Sequence, residues 1–487
     1  MPKRLILIII VMAAVVRFWN ITDLTTFGGD QGYDFIQIRK MFTDQKPTLL
    51  GPKIGPYNKI GNLYLGPAYY YLLAPSLYFF KFDPLGPALL TAMFSIVTIL
   101  LIYQTSKEFF SLQIALISSS IYSFSAFLIN QSRAPSNPHL TPLFSVILLY
   151  SLLKITNKKE KSYIWLVLSG LSLGIMFQLH YLAAGLLISS VIFLFLSKKI
   201  KEILIIIVAF LAAISPQIIF ELRHEFFVTN LFIEQLRSGN NVSGSGRFIR
   251  NFIESAKLLS SIISESKNLL SVFTILISAG FLIKAKNKKL KPALILLVLN
   301  LFFGLVITSI YSGDLGPHYF ATIYVTACIL ISISISSVYE TFKNLYARAI
   351  LVCTFLILLS SNLLSLDLNS QEGFTMPKGQ NLTGIRKTAK IIAGDVIPTT
   401  RFNIASTLDG DTRSMPYRYL VNVYGKTAQD VEKYPESEVI YLISKDEEDA
   451  IRRYTVWEVA SFAPFDITNK WEVQNGILLY KLVKAKI

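Results

Sequence analysis

Cysteine, histidine and charge are all scarce in this sequence. Only two of its 487 residues are cysteine, Cys328 and Cys353, and both lie inside apolar runs, so neither a disulfide framework nor a thiolate metal site is supported. Charged residues make up 16% of the chain, against about 25% in ordinary soluble domains. In their place are hydrophobic residues, at 52%, in apolar runs that recur from residue 5 to residue 365. Crossing the hydrocarbon takes roughly 17–25 residues. Lipid offers no partner for a free backbone N–H or C=O, so the crossing segments must be helical. The composition defines a polytopic α-helical membrane protein.

The formal charge of +16 invites a nucleic-acid reading. The lysines, however, cluster in short loops between apolar runs, which is a pattern of membrane topology and excludes a basic nucleic-acid groove. The opening "MPKRLILIIIVMAAVVRFWN" has the basic and apolar parts of a signal peptide. It lacks a small-x-small cleavage site and runs into Arg17 and Trp19, so it reads as an uncleaved first span.

The pattern predicts about eleven spans, near 3–19, 86–104, 112–130, 138–154, 163–179, 181–197, 203–221, 269–284, 292–311, 319–338 and 349–365. The segment 64–80, "YLGPAYYYLLAPSLYFF", is apolar enough to make a twelfth. Loop charge decides against that. If 64–80 does not cross, the basic residues of "KITNKKEK" at 154–161, "KKIK" at 198–201 and "KAKNKKLK" at 284–291 all fall inside, with Lys3, Arg4, Lys107, Lys343 and Arg348. The expectation is a multi-pass protein of the plasma membrane with its N-terminus inside and its C-terminus outside. Segment 64–80 then lies along the outer surface, where its tyrosines and Pro75 suit an interfacial helix.

Residues 1–365 form the membrane domain under this reading, with an outer loop at 20–85, and residues 366–487 form a small extracytoplasmic α/β domain. There the apolar stretches shorten to strand length in "RFNIAST", "EVIYLIS", "WEVASF" and "GILLYKLV", and a helix is predicted over 383–394.

This topology sorts the polar residues at span ends. The outer face collects Asp30 and Asp34 in "FGGDQGYDF", and Arg133, Asn137 and His139 in "NQSRAPSNPHLTP". It also collects His180, then Glu221, Arg223 and His224 in "FELRHEF", and Asp314, His318 and Tyr319 in "YSGDLGPHYF". All four histidines of the chain fall on that side. Any one of these residues alone is a solvated turn acid, a helix-end histidine or a headgroup anchor, so the functional reading rests on their convergence.

A phosphate-bearing lipid substrate suits such a set. Arginine and histidine donors would hold its headgroup phosphate, and a groove between spans would take its hydrocarbon tail. A carboxylate within reach would act as general base on an acceptor hydroxyl, which then attacks an activated sugar carbon. Gly28 and Gly29 would let the backbone turn tightly and approach the substrate. The histidines could alternatively hold a divalent metal, although no ligand spacing specifies one and no cofactor is certain.

In the order and spacing of these elements, residues 1 to about 340 resemble the GT-C superfamily of integral membrane glycosyltransferases. The likeness is to the branch of protein O-mannosyltransferases and aminoarabinose transferases (PMT and ArnT). The resemblance implies transfer of a single hexose or pentose from a polyprenyl-phosphate-linked donor to a hydroxyl or amine acceptor on the outer face, with inversion at the anomeric carbon. "GGDQG" stands where the family keeps its acidic motif, which makes Asp30 the match for the catalytic aspartate. Many members follow it with a second acid, and here Gln31 occupies that place, with Asp34 one helical turn on as a substitute and Asp314 as a further acid. "GPAYYYLLAP" resembles the segment after the motif, placing Gly66 and Pro67 along the same cleft with Gly28, Gly29, Gln31 and Asn137. "SRAPSNPHL" falls at the family's polar loop. "HYF" at 318–320 resembles a basic residue and tyrosine near the donor phosphate. Arg133, His139, His180, Glu221, Arg223, His224, His318 and Tyr319 are therefore candidates for binding donor phosphate or acceptor. Three alternatives stay open: a transporter or flippase for a lipid-linked sugar, a lipid-linked glycan ligase or polymerase, and an inactive, sugar-binding relative, for which Gln31 is the only sign.

Overall fold

The computed structural model describes residues 2–54, 63–156, 163–238, 245–263, 290–311, 315–370, 376–408 and 410–485. The membrane part is built from α1 (Pro2–Phe18), α4 (Leu85–Phe109), α5 (Leu112–Phe124), α6 (Ala126–Ser132), α7 (Thr141–Thr156), α8 (Tyr163–Leu179), α9 (Ala184–Leu196), α10 (Ile200–Ala213), α11 (Ser215–Arg223), α14 (Lys291–Ile310), α15 (Tyr324–Thr341) and α16 (Leu345–Leu364). By length and composition, five helical segments can cross a membrane: α4, Asn137–Thr156, α14, α15 and α16. The number rises to seven if the bent pairs α5/α6 (64°) and α10/α11 (63°) each count as one span. The expected eleven therefore also depend on the shorter helices α1, α8 and α9, and on 269–284, which lies outside the described residues.

Small residues let these helices meet closely. A Cβ on Gly170 of α8 would lie 2.4 Å from the Ile206 carbonyl oxygen of α10, and one on Gly174 would lie 2.5 Å from the Ala213 Cβ. Arg17, fully buried, ties α1 to its neighbours. Its Nε donates to Ser95 Oγ at 2.9 Å, and its Nη1 and Nη2 donate to the carbonyls of Ser123 (2.8 Å) and Tyr122 (3.0 Å). At the opposite end of the bundle Lys154 meets Glu108 at 2.6 Å, so the C-terminal ends of α4 and α7 share one side, as the loop charges require.

Between α1 and α4 run α2 (Gly29–Thr43), a two-stranded hairpin of β1 (Lys53–Ile54) and β2 (Leu63–Tyr64), and α3 (Ala68–Phe79). At 12 residues α3 is about 18 Å long, well short of a roughly 30 Å hydrocarbon core.

The C-terminal part contains α17 (Leu382–Asp395), β3 (Phe402–Ser406), α18 (Met415–Val423), β4 (Val439–Ser444), α19 (Glu448–Ile451), α20 (Trp457–Ala460), β5 (Phe465–Gln474) and β6 (Ile477–Lys484). Its sheet has the order β3-β4-β6-β5, parallel between β3 and β4 and antiparallel elsewhere. β3 and β4 are buried along their whole length because both faces are covered. Ile404, Tyr441 and Ile443 join the core with α17 and α18, and the alternate residues Ala405, Ile440 and Leu442 pack under Ile451, Val459 and Phe462. The expected strand "WEVASF" instead forms the short helix α20. The edge strand β5 was not anticipated, because "FDITNKWEVQ" is mostly polar and largely solvent-facing.

One core joins this sheet to the outer loop. Phe27, Phe35, Tyr70 and Leu73 pack in the same cluster as Leu382, Ile385, Tyr419 and Leu479. The Tyr419 hydroxyl donates to the Phe82 carbonyl at 2.6 Å, and Arg386 pairs with Asp83.

Candidate active site

The acidic motif opens α2. Gly28 is the extended N-cap, and its N–H donates to Gln31 Oε1 at 3.0 Å. The Gln31 side chain thus satisfies one of the donors that a helix N-terminus leaves free, a task glutamine performs as well as an acid. Asp30 stands in this first turn and keeps solvent contact, and the protein bulk around it raises its pKa above the ordinary carboxylate value. Asp34, one turn further, is 7% exposed and accepts the Tyr70 hydroxyl of α3 at 2.8 Å. Burial raises its pKa well above the usual range, and the nearby charge of Asp30 adds to this while the Tyr70 bond opposes it.

Gly28 and Gly29 do not make a left-handed turn, since neither has a positive φ. The room at Gly29 is filled by the C-terminal domain: a Cβ there would lie 3.0 Å from Asp411 Cγ and 3.1 Å from Asp411 Oδ2. A Cβ on Gly32 would lie 2.4 Å from the Met415 carbonyl carbon. Approach to substrate was expected of Gly28 and Gly29; in the structure Gly29, with Gly32, admits the 411–416 segment.

The polar loop 133–139 lies beneath. The Thr26 N–H donates to the Arg133 carbonyl (3.3 Å), the Tyr69 hydroxyl to the Pro135 carbonyl (2.7 Å), and Asn137 Nδ2 to the Leu179 carbonyl (2.7 Å). Arg133 is fully buried and bonds the Val16 carbonyl, while its Nε and Nη1 have no partner among the described residues. Burial lowers its pKa to about 10.

Three of the four histidines gather here. His139 bonds the Ala134 carbonyl through Nδ1 at 2.8 Å, in the turn 137–140 that packs against the turn 317–320. The rings of His180 and His318 flank Tyr319, with centroids 5.4 and 4.4 Å away. Burial, and secondarily His318, lowers the pKa of His180 to about 3, and burial also lowers that of His318, so both rings are neutral at physiological pH. Among the described residues no three His, Cys, Asp or Glu side chains are grouped to hold a metal ion. Asp314 lies outside the described residues.

Gly66 and Pro67 lead into α3. A Cβ on Gly66 would lie 2.3 Å from Gln178 Cγ and 2.7 Å from Gln217 Cδ. The remaining candidates stand apart. Glu221 uses both carboxylate oxygens to accept the N–H groups of Val228 and Thr229, each at 3.0 Å, at the start of helix α12 (Phe227–Ser238). His224 stacks on Phe220 at 4.1 Å and, with Arg223, lines a shallow open pocket on the surface.

Sequence reasoning missed Lys53, Tyr70 and Asp411. The hairpin carries Lys53 to 5.1 Å from the Tyr33 ring of α2 and 5.8 Å from the Tyr64 ring. Nothing in "GPKIGP" marks that lysine. The GxxG spacing of Gly29 and Gly32 was the one available sign that another backbone packs on α2.

A helical bundle with bent outer ends, an acidic helix on its outer loop and a terminal sheet closing over that helix is the GT-C fold of integral membrane glycosyltransferases. In sequence, residues 65–220 match the family described as dolichyl-phosphate-mannose-protein mannosyltransferase. That match spans about a third of the chain, and the likeness over the rest is one of fold. Its fold is similar to that of ArnT from Cupriavidus metallidurans in crystals with bound undecaprenyl phosphate (TM-score 0.60) and in the apo state (TM-score 0.62). Both comparisons show 13% identity and cover 98% of this chain and 97% of that one. The archaeal oligosaccharyltransferase AglB from Archaeoglobus fulgidus, solved with an inhibitory peptide and a dolichol phosphate, aligns over 91% of this chain and 69% of its own (TM-score 0.51, 13% identity). No curated protein matches the sequence.

Proposed function

We propose that the protein is a glycosyltransferase that moves one sugar, a hexose or pentose, from a polyprenyl-phosphate-linked donor to a hydroxyl or amine acceptor on the outer face of the plasma membrane. The acceptor oxygen or nitrogen attacks the anomeric carbon from the side opposite the phosphate. The bond from that carbon to the phosphate oxygen breaks, polyprenyl phosphate leaves, the anomeric centre inverts, and Asp30 takes the acceptor proton.

The observation that carries this reading is Asp30 itself, a solvent-open carboxylate with a raised pKa in the first turn of α2. A base is most effective when its pKa approaches the working pH, which is the direction of the shift. Arg133, with two buried N–H groups lacking partners among the described residues, and the neutral imidazoles of His180 and His318 supply donors for a phosphate. Gly66, Pro67 and Asn137 line the way between them. Glu221, Arg223 and His224 belong to the rim, where acceptor contact is their natural role.

Purified protein in lipid nanodiscs, given dolichyl-phosphate mannose or undecaprenyl-phosphate-linked aminoarabinose as donor probes, tests the reading together with mass spectrometry of lipid-linked sugars that accumulate when the protein is absent. Release of free polyprenyl phosphate with a glycosylated product supports it. Movement of intact donor across the bilayer with no bond cleavage would replace it with a flippase.

A further inference from the structure

The acidic motif lacks the second acid that many relatives carry, yet a second carboxylate reaches it from the far end of the chain. Asp411 packs on Gly29, the residue before Asp30, so closely that a glycine Cβ would lie 3.0 Å from its Cβ and Cγ. Its two oxygens are fixed: Oδ2 accepts the Met415 N–H at 2.6 Å and Oδ1 accepts the Arg413 N–H at 3.2 Å. The loop behind it is rigid too. Arg418 donates to the carbonyls of Arg413 (2.6 Å), Gln429 (2.7 Å) and Ile404 (3.1 Å) and to the Tyr434 hydroxyl (2.9 Å). Gly32, one turn on, meets the Met415–Pro416 backbone and fixes the second point of contact.

From this geometry we infer that Asp411 is a positioning residue for transfer: it clamps the first turn of α2 through Gly29, holds Asp30 in place, and sets a negative charge beside it that makes Asp30 a stronger base. The C-terminal domain is thereby a working part of the site.

Among the described residues, the groups around Asp30 can be named by element. On α2 they are Tyr33 and the buried Asp34, which Tyr70 binds; from α3 comes Tyr69; from the hairpin comes Lys53, engaged with Tyr33. From the C-terminal domain come Asp411 and, behind it, Arg413 and Arg418. The charges of Asp411 and Asp30 oppose each other's ionisation, and Asp411 itself titrates high because of burial, with Asp30 adding to that.

The inference rests on Asp30 being the base, and the test separates the two claims. In full-length protein with 13C-labelled aspartate, the carboxyl resonance that disappears in Asp30→Asn is followed against pH. Asp411→Asn keeps an oxygen for the Met415 N–H but loses the charge, and Gly29→Ala displaces Asp411 with no change of charge. Both should lower the apparent pKa of Asp30 by at least about half a unit. Both should also cut kcat at least tenfold with KM for dolichyl-phosphate mannose or the aminoarabinose donor unchanged. An unmoved Asp30 titration in both variants overturns the inference, whatever the activity. A shifted titration together with full activity in Asp30→Asn upholds the clamp and defeats the base assignment instead. Unchanged thermal midpoints in the two variants confirm that the loss is not unfolding.

Discussion

The Tyr70 hydroxyl donates to Asp34 Oδ1 across 2.8 Å and joins α3 to α2 in a buried interface. Asp34 therefore belongs to the support of the acidic helix. Tyr70→Phe leaves a buried acceptor without its donor and should cost about 1–3 kcal/mol of stability. Asp34 binds a proton more tightly folded than unfolded, so its contribution is full below the ordinary carboxylate pKa and is lost as pH rises through the folded value. Asp34→Asn should thus match wild type in acid and melt at a higher temperature above neutral pH. Thermal scans across pH check this, and a variant that melts lower at pH 8 would contradict it.

Gln31 is bound to the helix it begins. Gln31→Ala removes the acceptor of the Gly28 N–H and should destabilise the outer loop by about 1 kcal/mol. Gln31→Glu keeps that bond and places a second acid beside Asp30, so transfer should continue with its acid limb at higher pH. A rate profile against pH decides it, and loss of activity in Gln31→Glu would show that the site requires neutrality there.

Gly32 is where two backbones touch. Gly32→Ala forces α2 from the Met415 carbonyl carbon, now 2.4 Å from the new methyl position, at a cost of about 1–3 kcal/mol. Hydrogen exchange should quicken in α2 and α18 together, while the α8/α10 contact stays protected. Quickening confined to one of the two helices would contradict a shared joint.

How much of this was legible depends on the range of the signal. Ten of the predicted apolar runs fall on described helices or bent helix pairs, because each run answers to lipid by itself. Asp30 was legible from its motif and Gln31 from its departure. Asp411 was not, since 381 positions separate it from Asp30 and "LDGDTRS" reads as an ordinary turn. Glu221 was legible as a carboxylate among arginine and histidine, but its capping of the helix at Phe227 was not. Charge pattern predicts the sides and the motif proposes the base, while contacts between distant segments come only from the fold.

His180, with its pKa lowered to about 3 by burial, acts as a neutral ring. Between pH 5 and 8 its loss should change the level of activity and add or remove no titration limb. His180→Asn should weaken donor binding by roughly tenfold, one hydrogen bond's worth. Binding of the polyprenyl-phosphate donor measured across that range checks both points, and a pH-dependent affinity that vanishes in the variant would mean that His180 titrates there.

The central claim, that Asp30 is the base of a lipid-phosphate-dependent sugar transfer, is tested most directly by single-turnover transfer in purified Asp30→Asn. The account predicts a rate lowered by roughly 10²–10⁴-fold, the range general base catalysis supplies, with donor binding and thermal midpoint kept. Transfer at the wild-type rate in that variant would contradict it.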